Sequence, residues 1–353
     1  MVKKDNNFYL FSAVRGIQAN KEYYTIMCPL KLIPEIFVEI NLPITNPKLR
    51  AQRVLNKARV SAIRKYILSN PNSYVFSSIT VSVDGDIEFV PLSKDNYQIG
   101  YLKIPKSSKF LVNDGQHRIE AIKQALNENP LLAYESISMV VFIDLGLERS
   151  QQIFTDLNRF SVKPTPSISI LYDYRDQMAE LSRYLADNVY YFKDLVEFEK
   201  STISNRSTKL FTLSSIYNST RELLNRKEKN IIIKESDRKL AHYFWELVGD
   251  NIKEWKDVKE NRLPAYVSRE NYIHSHGLFL TAIAMVGRYL IENKFDIEDK
   301  LQKLQEIDWS RSNKQWEGIA LNNGRLSKSF VNIKKTADFI LRKILEDVEY
   351  AKR

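Results

Sequence analysis

The 353 residues predict an α+β protein: a mixed-sheet domain over residues 1–165 followed by a mostly helical domain over residues 166–353. Three observations lead there. The first half alternates strand-like runs with helix-like stretches. From about Ile168 the chain turns to long helical periodicities with few β-branched alternations. Between them lies Pro164-Thr165-Pro166, a hinge in which each proline pushes the residue before it out of the helical region.

In the first half, Phe8 to Phe11 and Tyr23 to Cys28 read as strands, Pro47 to Leu68 as a basic helix and Tyr74 to Val83 as a third strand. Asp84-Gly85-Asp86 is a hairpin turn feeding Ile87 to Val90, and Tyr101 to Ile104 is a further short strand. Phe110 to Val112 ends a strand, Asp114-Gly115 turns, and Gln116 opens an amphipathic helix with Ile119, Ile122, Ala125 and Leu126 on one face. Ile137 to Leu145 is a continuous apolar run fit for a central buried strand, and Leu147 to Arg159 returns to helical spacing. In the second half, Arg206 to Arg226, Glu235 to Trp255, Tyr272 to Asn293 and Ser327 to Lys352 each suit a helix with an apolar stripe, with turns at Asn205, Asn230, Gly249, Pro264 and Gly318.

Composition bounds the function. A net charge of +10 points toward a polyanionic partner, because Lys and Arg displace counterions from phosphates. The lone Cys28 excludes an internal disulfide and a multi-cysteine zinc site, and no apolar run approaches a membrane span or a secretion signal. A cytoplasmic protein is expected. There is no GxxxxGK[ST] loop, no evident helix-turn-helix and no nuclease pattern.

The densest chemistry is Asp114-Gly115-Gln116-His117-Arg118. A helix start offers unpaired N–H groups and a positive dipole end. An anion can be held there while Arg118 supplies a bidentate fork and Asp114 faces a metal, a water or a ligand donor. The plain alternative is an Asp114 N-cap with Arg118 paired to Glu120 or Glu135. The basic helix carries Lys48, Arg50, Arg53, Lys57, Arg59, Arg64 and Lys65 opposite Val54, Ala58, Ala62 and Ile63. Its uses are a phosphate pocket, a DNA backbone contact or a solvated face. Asn158, Arg159 and Lys163 read either as a second pocket wall or as an ordinary helix end. Ser204-Asn205-Arg206-Ser207-Thr208-Lys209 places two cations at an expected helix start, where an external anion would neutralise them. His274 and His276, two apart, cannot share a metal from one helix face. No metal site is expected, and His274 is left a packing role or a phosphate contact.

The string Asp114 to Arg118, with Phe154 to Arg159, Val162-Lys163-Pro164, Ser167 to Asp176, Ser204 to Ser214 and Arg269 to Gly277, resembles the DndB family of the DNA phosphorothioate (sulfur) modification system, whose members carry a DGQHR domain. The resemblance implies a ParB/sulfiredoxin-like domain around DGQHR and a repressor of the modification genes that binds double-stranded DNA at the operon promoter, alongside other proteins of the system. With a DNA partner, the cations and histidine read above supply the expected contacts: Lys57, Arg64 and His274, and Arg206 and Lys209, which face DNA or a nucleotide. The alternative it leaves open is a nucleotide hydrolase, coupled to DNA nicking, using ATP or GTP with Mg²⁺. Asp114, Gln116, His117 and Arg118 would then be catalytic, and Gly115, Arg53, Arg59, Asn158, Arg159 and Lys163 would bind the nucleotide.

Overall fold

The computed structural model describes residues 7–38, 55–143, 147–159, 163–226 and 232–345. The chain divides into two compact units, residues 1–162 and 163–353.

Unit 1 is built on a seven-stranded sheet. β1 (Phe8–Gln18) and β2 (Lys21–Pro29) form an antiparallel hairpin with Gln18 opposite Lys21. The turn residues Ala19 and Asn20 both have positive φ, 50° and 59°, the geometry whose twist matches that of the strands. Since neither is glycine, the hairpin has no sequence signal, and β1 runs well past the expected Phe11. α1 (Ile33–Ile36) and α2 (Lys57–Ser69) precede β3 (Ile79–Val83), β4 (Glu88–Pro91), β5 (Ile99–Pro105) and β6 (Phe110–Asp114). α3 (Gln116–Glu128), β7 (Ser136–Ile143) and α4 (Leu147–Arg159) complete the unit. The strand order is β4-β5-β1-β2-β7-β3-β6, antiparallel throughout except for the β3–β7 pair. Val60 and Ile67 of α2 and Ile119, Ile122 and Ala125 of α3 share one core with Ile79, Val81, Met139 and Val141 of the sheet.

Three expectations change here. β3 starts at Ile79 rather than Tyr74, because Tyr74 and Phe76 pack with Tyr66 of α2 in an aromatic cluster, 5.5–6.5 Å between centroids. β7 is interior to the sheet, but only Ile137, Met139 and Val141 are buried, so it is covered on one face. The apolar face of α2 is Val60, Ile63 and Ile67: of the expected Val54, Ala58, Ala62 and Ile63, Ile63 packs on the core while Ala58 and Ala62 are exposed, and Lys48, Arg50, Arg53 and Val54 lie outside the described residues.

Unit 2 is helical. α5 (Pro166–Tyr172) is capped by Thr165, and α6 (Gln177–Asn188) by Asp176. Then come β8 (Val196–Glu197), parallel to β9 (Phe211–Thr212), and α7 (Leu213–Leu223), α8 (Glu235–Asp250), α9 (Lys253–Lys259), α10 (Ala265–Asn271), α11 (Gly277–Glu292) and α12 (Ile297–Gln302). The hairpin of β10 (Leu321–Asn322) and β11 (Arg325–Leu326) precedes α13 (Phe330–Leu345). α11 is apolar nearly all round and forms the centre, with α7 and α13 against it. Trp255 packs among Phe211, Phe279 and His274.

The long helices expected here are shorter and broken. Residues 206–210 lie outside any helix; the chain enters α7 only after Thr212, whose Oγ1 accepts from the Ser215 amide at 3.2 Å. The expected Glu235 to Trp255 helix breaks at Asn251, and Tyr272 to Asn293 breaks at His276. Gly249, expected in a turn, lies inside α8. A Cβ there would fall 2.0 Å from the ring of Tyr191, so it is a close-packing glycine. Among the described residues no helix is long and apolar enough to cross a membrane.

Candidate functional site

The first site is the junction of β6 and α3. The β3–β6 register slips between Thr80 and Val81, so that Asn113 is the extra residue of a bulge, a device that re-aims side chains. Asn113 is buried. Its Nδ2 donates to Ser82 Oγ at 2.8 Å, and its Oδ1 has no partner among the described residues. Asp114 still belongs to the strand, opposite Thr80, and the turn is Gly115 alone, at φ +109°. A Cβ at Gly115 would meet Ile79 at 3.1 Å, so both backbone angle and space select glycine. Gly115 is also the N-cap of α3, with no side-chain cap, so Asp114 does not cap the helix.

Arg118, one turn into α3, reaches back. Its Nη2 donates to Asp114 Oδ2 at 2.5 Å, and its Nη1 donates to Ser77 O, Ser77 Oγ and, at 3.1 Å, Ser78 O. The guanidinium therefore ties the strand end, the helix start and the segment before β3 together. Its partner is Asp114 and neither Glu120 nor Glu135. Glu120 accepts from Gln124 at 2.9 Å, and Glu135 takes the Tyr74 hydroxyl. Gln116 is buried at the first helical position.

His117 joins α2 to this turn: the Asn56 amide donates to His117 Nε2 at 3.1 Å, an acceptor role that leaves the ring proton on Nδ1. Asn56 is the N-cap of α2, its Oδ1 accepting from the Arg59 amide at 3.1 Å. Lys57 and Arg59 thus occupy the first turn of α2, exposed, with no acidic residue in that turn. Neither they nor Lys65 have an ion-pair partner among the described residues, whereas Arg64 pairs with Glu128 of α3. α4 packs on β6; near its end Asn158 is exposed and donates to Phe154 O at 2.8 Å, and Arg159 is exposed in the last turn. Lys163 is exposed and begins unit 2, and Arg53 lies outside the described residues.

The second site is a cavity of about 730 Å³ wholly inside unit 2. Two of the sequence strings, far apart in the chain, form its walls: Asn205, Arg206, Leu210 to Thr212 and Ser214 on one side, Arg269, Glu270 and Ser275 to Gly277 on the other. Arg269 organises them. Nearly buried, it donates from Nη2 to Ser204 O at 2.9 Å and Asn205 O at 3.1 Å, and from Nη1 to Ser207 O at 3.1 Å and to Lys209 O. Four carbonyls of one loop converge on this guanidinium, so the loop of residues 204–209 is shaped by a side-chain clamp rather than by a helix. The helix start expected for Arg206 and Lys209 is thereby corrected. Arg206 is exposed at the cavity, while Lys209 Nζ donates to Asp194 O at 2.8 Å.

His276 caps the arrangement, its Nε2 bonding Arg269 O at 2.7 Å. A carbonyl only accepts, so Nε2 carries the proton. Burial, aided by the charges of Arg311, Lys328 and Arg269, pushes the imidazole down to about 4. His274 is fully buried and offers no surface to a DNA phosphate, which corrects the contact expected for it. Its Nε2 bonds Glu254 at 3.0 Å, its Nδ1 accepts from Ser275 Oγ at 3.1 Å, and burial holds it below the ordinary range. Sequence reasoning did not reach Arg311 and Lys328, which also line the cavity, because they come from loops with no pattern of their own. Among the described residues no group of three or more His, Cys, Asp or Glu is placed to hold a metal.

A family model described as DndB, DNA-sulfur modification-associated, covers residues 11–346, and so spans both units. No curated protein and no solved structure matches the chain.

Proposed function

The chain belongs to the DndB family, DNA-sulfur modification-associated, and from that premise we propose that it is a cytoplasmic DNA-binding repressor of the modification genes, acting at their promoter. The carrying observation is the first turn of α2. Lys57 and Arg59 sit at the positive end of a helix dipole, with no acid in the turn and no ion-pair partner among the described residues. Cations at that position are unfavourable unless an external anion neutralises them, and a DNA phosphate is such an anion. Lys65 extends the same cationic helix, and the net charge of +10 agrees in sign. In this reading unit 1 is the ParB/sulfiredoxin-like domain, and Asp114, Gly115 and Arg118 form the brace that orients α2 and α3 rather than a catalytic group. The hydrolase alternative at this turn draws no support from Arg118, whose fork is already filled by Asp114, Ser77 and Ser78.

The test is fluorescence anisotropy with promoter and scrambled duplexes over a salt series. The wild type should prefer the promoter under competitor DNA. The triple variant Lys57→Ala/Arg59→Ala/Lys65→Ala should lower the magnitude of the log K against log salt slope by up to about 0.9 per lost phosphate contact. Equal affinity for both duplexes refutes the repressor reading, and an unchanged slope removes α2 from the interface.

A further inference from the structure

We infer that the cavity of unit 2 is a binding site for a nucleoside phosphate, free or as the 5′-phosphorylated end of a DNA strand. This stands on unit 2 alone and not on the repressor reading.

Four cationic side chains line the cavity, Arg206, Arg269, Arg311 and Lys328, against one carboxylate, Glu270. None of the four forms an ion pair among the described residues. Arg269 donates only to backbone carbonyls, as does Arg311, to Glu270 O and Gly324 O at 3.1 Å each. Carbonyl oxygens orient a guanidinium without cancelling its charge, so the cavity keeps a concentrated positive field. Such a field in a concave, partly desolvated wall is where a multiply charged anion gains most. The depressed His276 is a consequence of burial and of the same cations, and a neutral imidazole adds no competing charge.

α11 adds donors. Its N-cap is His276, with no side-chain cap, and the amides of Gly277 and Leu278, both on the cavity wall, have no acceptor among the described residues. Two open N–H groups at the positive end of a sixteen-residue helix suit phosphate oxygens. An inorganic anion alone would not need the remaining space. About 730 Å³ falls in the range of roughly 300–1,000 Å³ typical of small-molecule sites. Leu210, Phe211, Tyr266 and Ile333 add apolar and aromatic surface fit for a base, and Asn205, Ser214, Asn218 and Thr281 add hydroxyls and amides fit for a sugar.

The experiment is isothermal titration calorimetry of the full chain with AMP, ATP, inorganic phosphate and a 5′-phosphorylated DNA dinucleotide. The nucleotides, the dinucleotide, or both should bind more tightly than phosphate. Preference for AMP or ATP assigns a free ligand, and preference for the dinucleotide assigns a strand end. Arg206→Ala/Lys328→Ala should weaken binding by about tenfold or more per cation removed. The exposed control Lys239→Ala/Lys256→Ala carries the same charge change and should leave it intact. Thr281→Phe, which fills the cavity without altering charge, should abolish binding in a variant whose melting temperature is retained. Absence of heat with all four probes overturns the proposal, as does equal weakening by the control pair. Since promoter binding is read separately on α2, either reading can fail alone.

Discussion

Arg118 and Arg269 are both arginines inside the strings that carry the family resemblance, and both spend their donors on backbone carbonyls, yet their surroundings differ in one charge. Arg118 also meets the Asp114 carboxylate, so the junction in unit 1 is electrically closed and acts as a brace. Arg269 meets carbonyls alone, and its neighbours Arg206, Arg311 and Lys328 are likewise uncompensated, so the cavity in unit 2 stays open to an anion. The same residue type in the same kind of string is structural in both units, with its charge cancelled in one and left uncancelled in the other. What decides is whether the fold supplies the counter-ion.

The comparison sharpens most on the frame that holds each arginine. Trp255→Ala removes the ring against which Phe211, Phe279 and His274 pack and should cost about 3–5 kcal/mol. Hydrogen–deuterium exchange should confine the loss to residues 163–345. Loss spread equally over unit 1 would mean that the units do not unfold separately. Trp255→Phe should cost far less, since the indole Nε1 is buried without a partner among the described residues.

Acid should act on unit 2 through His276. With a folded value of about 4 against an ordinary 6.5, the unfolded chain binds the proton first as pH falls. The contribution is complete above about pH 6.5 and is lost progressively down to about 4, roughly 2 kcal/mol of it by pH 5. Urea midpoints at pH 7.5 and 5 should show this, and His276→Gln should reduce the difference, leaving the part in the same direction that buried His274 contributes; an undiminished pH dependence in that variant would place the whole effect elsewhere.

Smallest is the backbone of the junction. Gly115→Ala forces a side chain to φ +109° and against Ile79 and should cost about 1–2 kcal/mol, read from the unit 1 transition. Arg118→Lys, which keeps the charge but loses the fork, should cost about as much. Full retention of stability in both variants would remove the brace from the account.

What could be read from the sequence follows the locality of the interactions. The strand, glycine and helix of the junction are local and were legible from residues 110–126. Arg118's partners Ser77 and Ser78 lie in a segment that reads as strand, and only the fold brings them under the guanidinium. The face of α2 is legible at Ile63 but not at Ala58 and Ala62, which mimic an apolar stripe, whereas burial follows Val60, Ile63 and Ile67. In unit 2 the strings marked both cavity walls, but the hydroxyl-rich segment at 204–209 imitates a helix cap while being held by Arg269, a tertiary contact. Arg311 and Lys328 could not be found at all, since nothing near them in the chain announces a site.

The order of strands has a consequence for how the protein comes into being. β7 stands between two blocks, β4-β5-β1-β2 on one side and β3-β6 on the other, with Tyr23 opposite Phe142 and Ile79 opposite Met139. Both blocks are synthesised before β7, so until Ser136–Ile143 has left the ribosome the growing chain holds two partial sheets with β2 and β3 as raw edges. Insertion of one strand then closes the sheet in a single step between distant segments, a slow event by the rule that non-local contacts retard folding. The nascent chain is thus most exposed to mispairing while β7 is still missing, before any of the helical unit has been made.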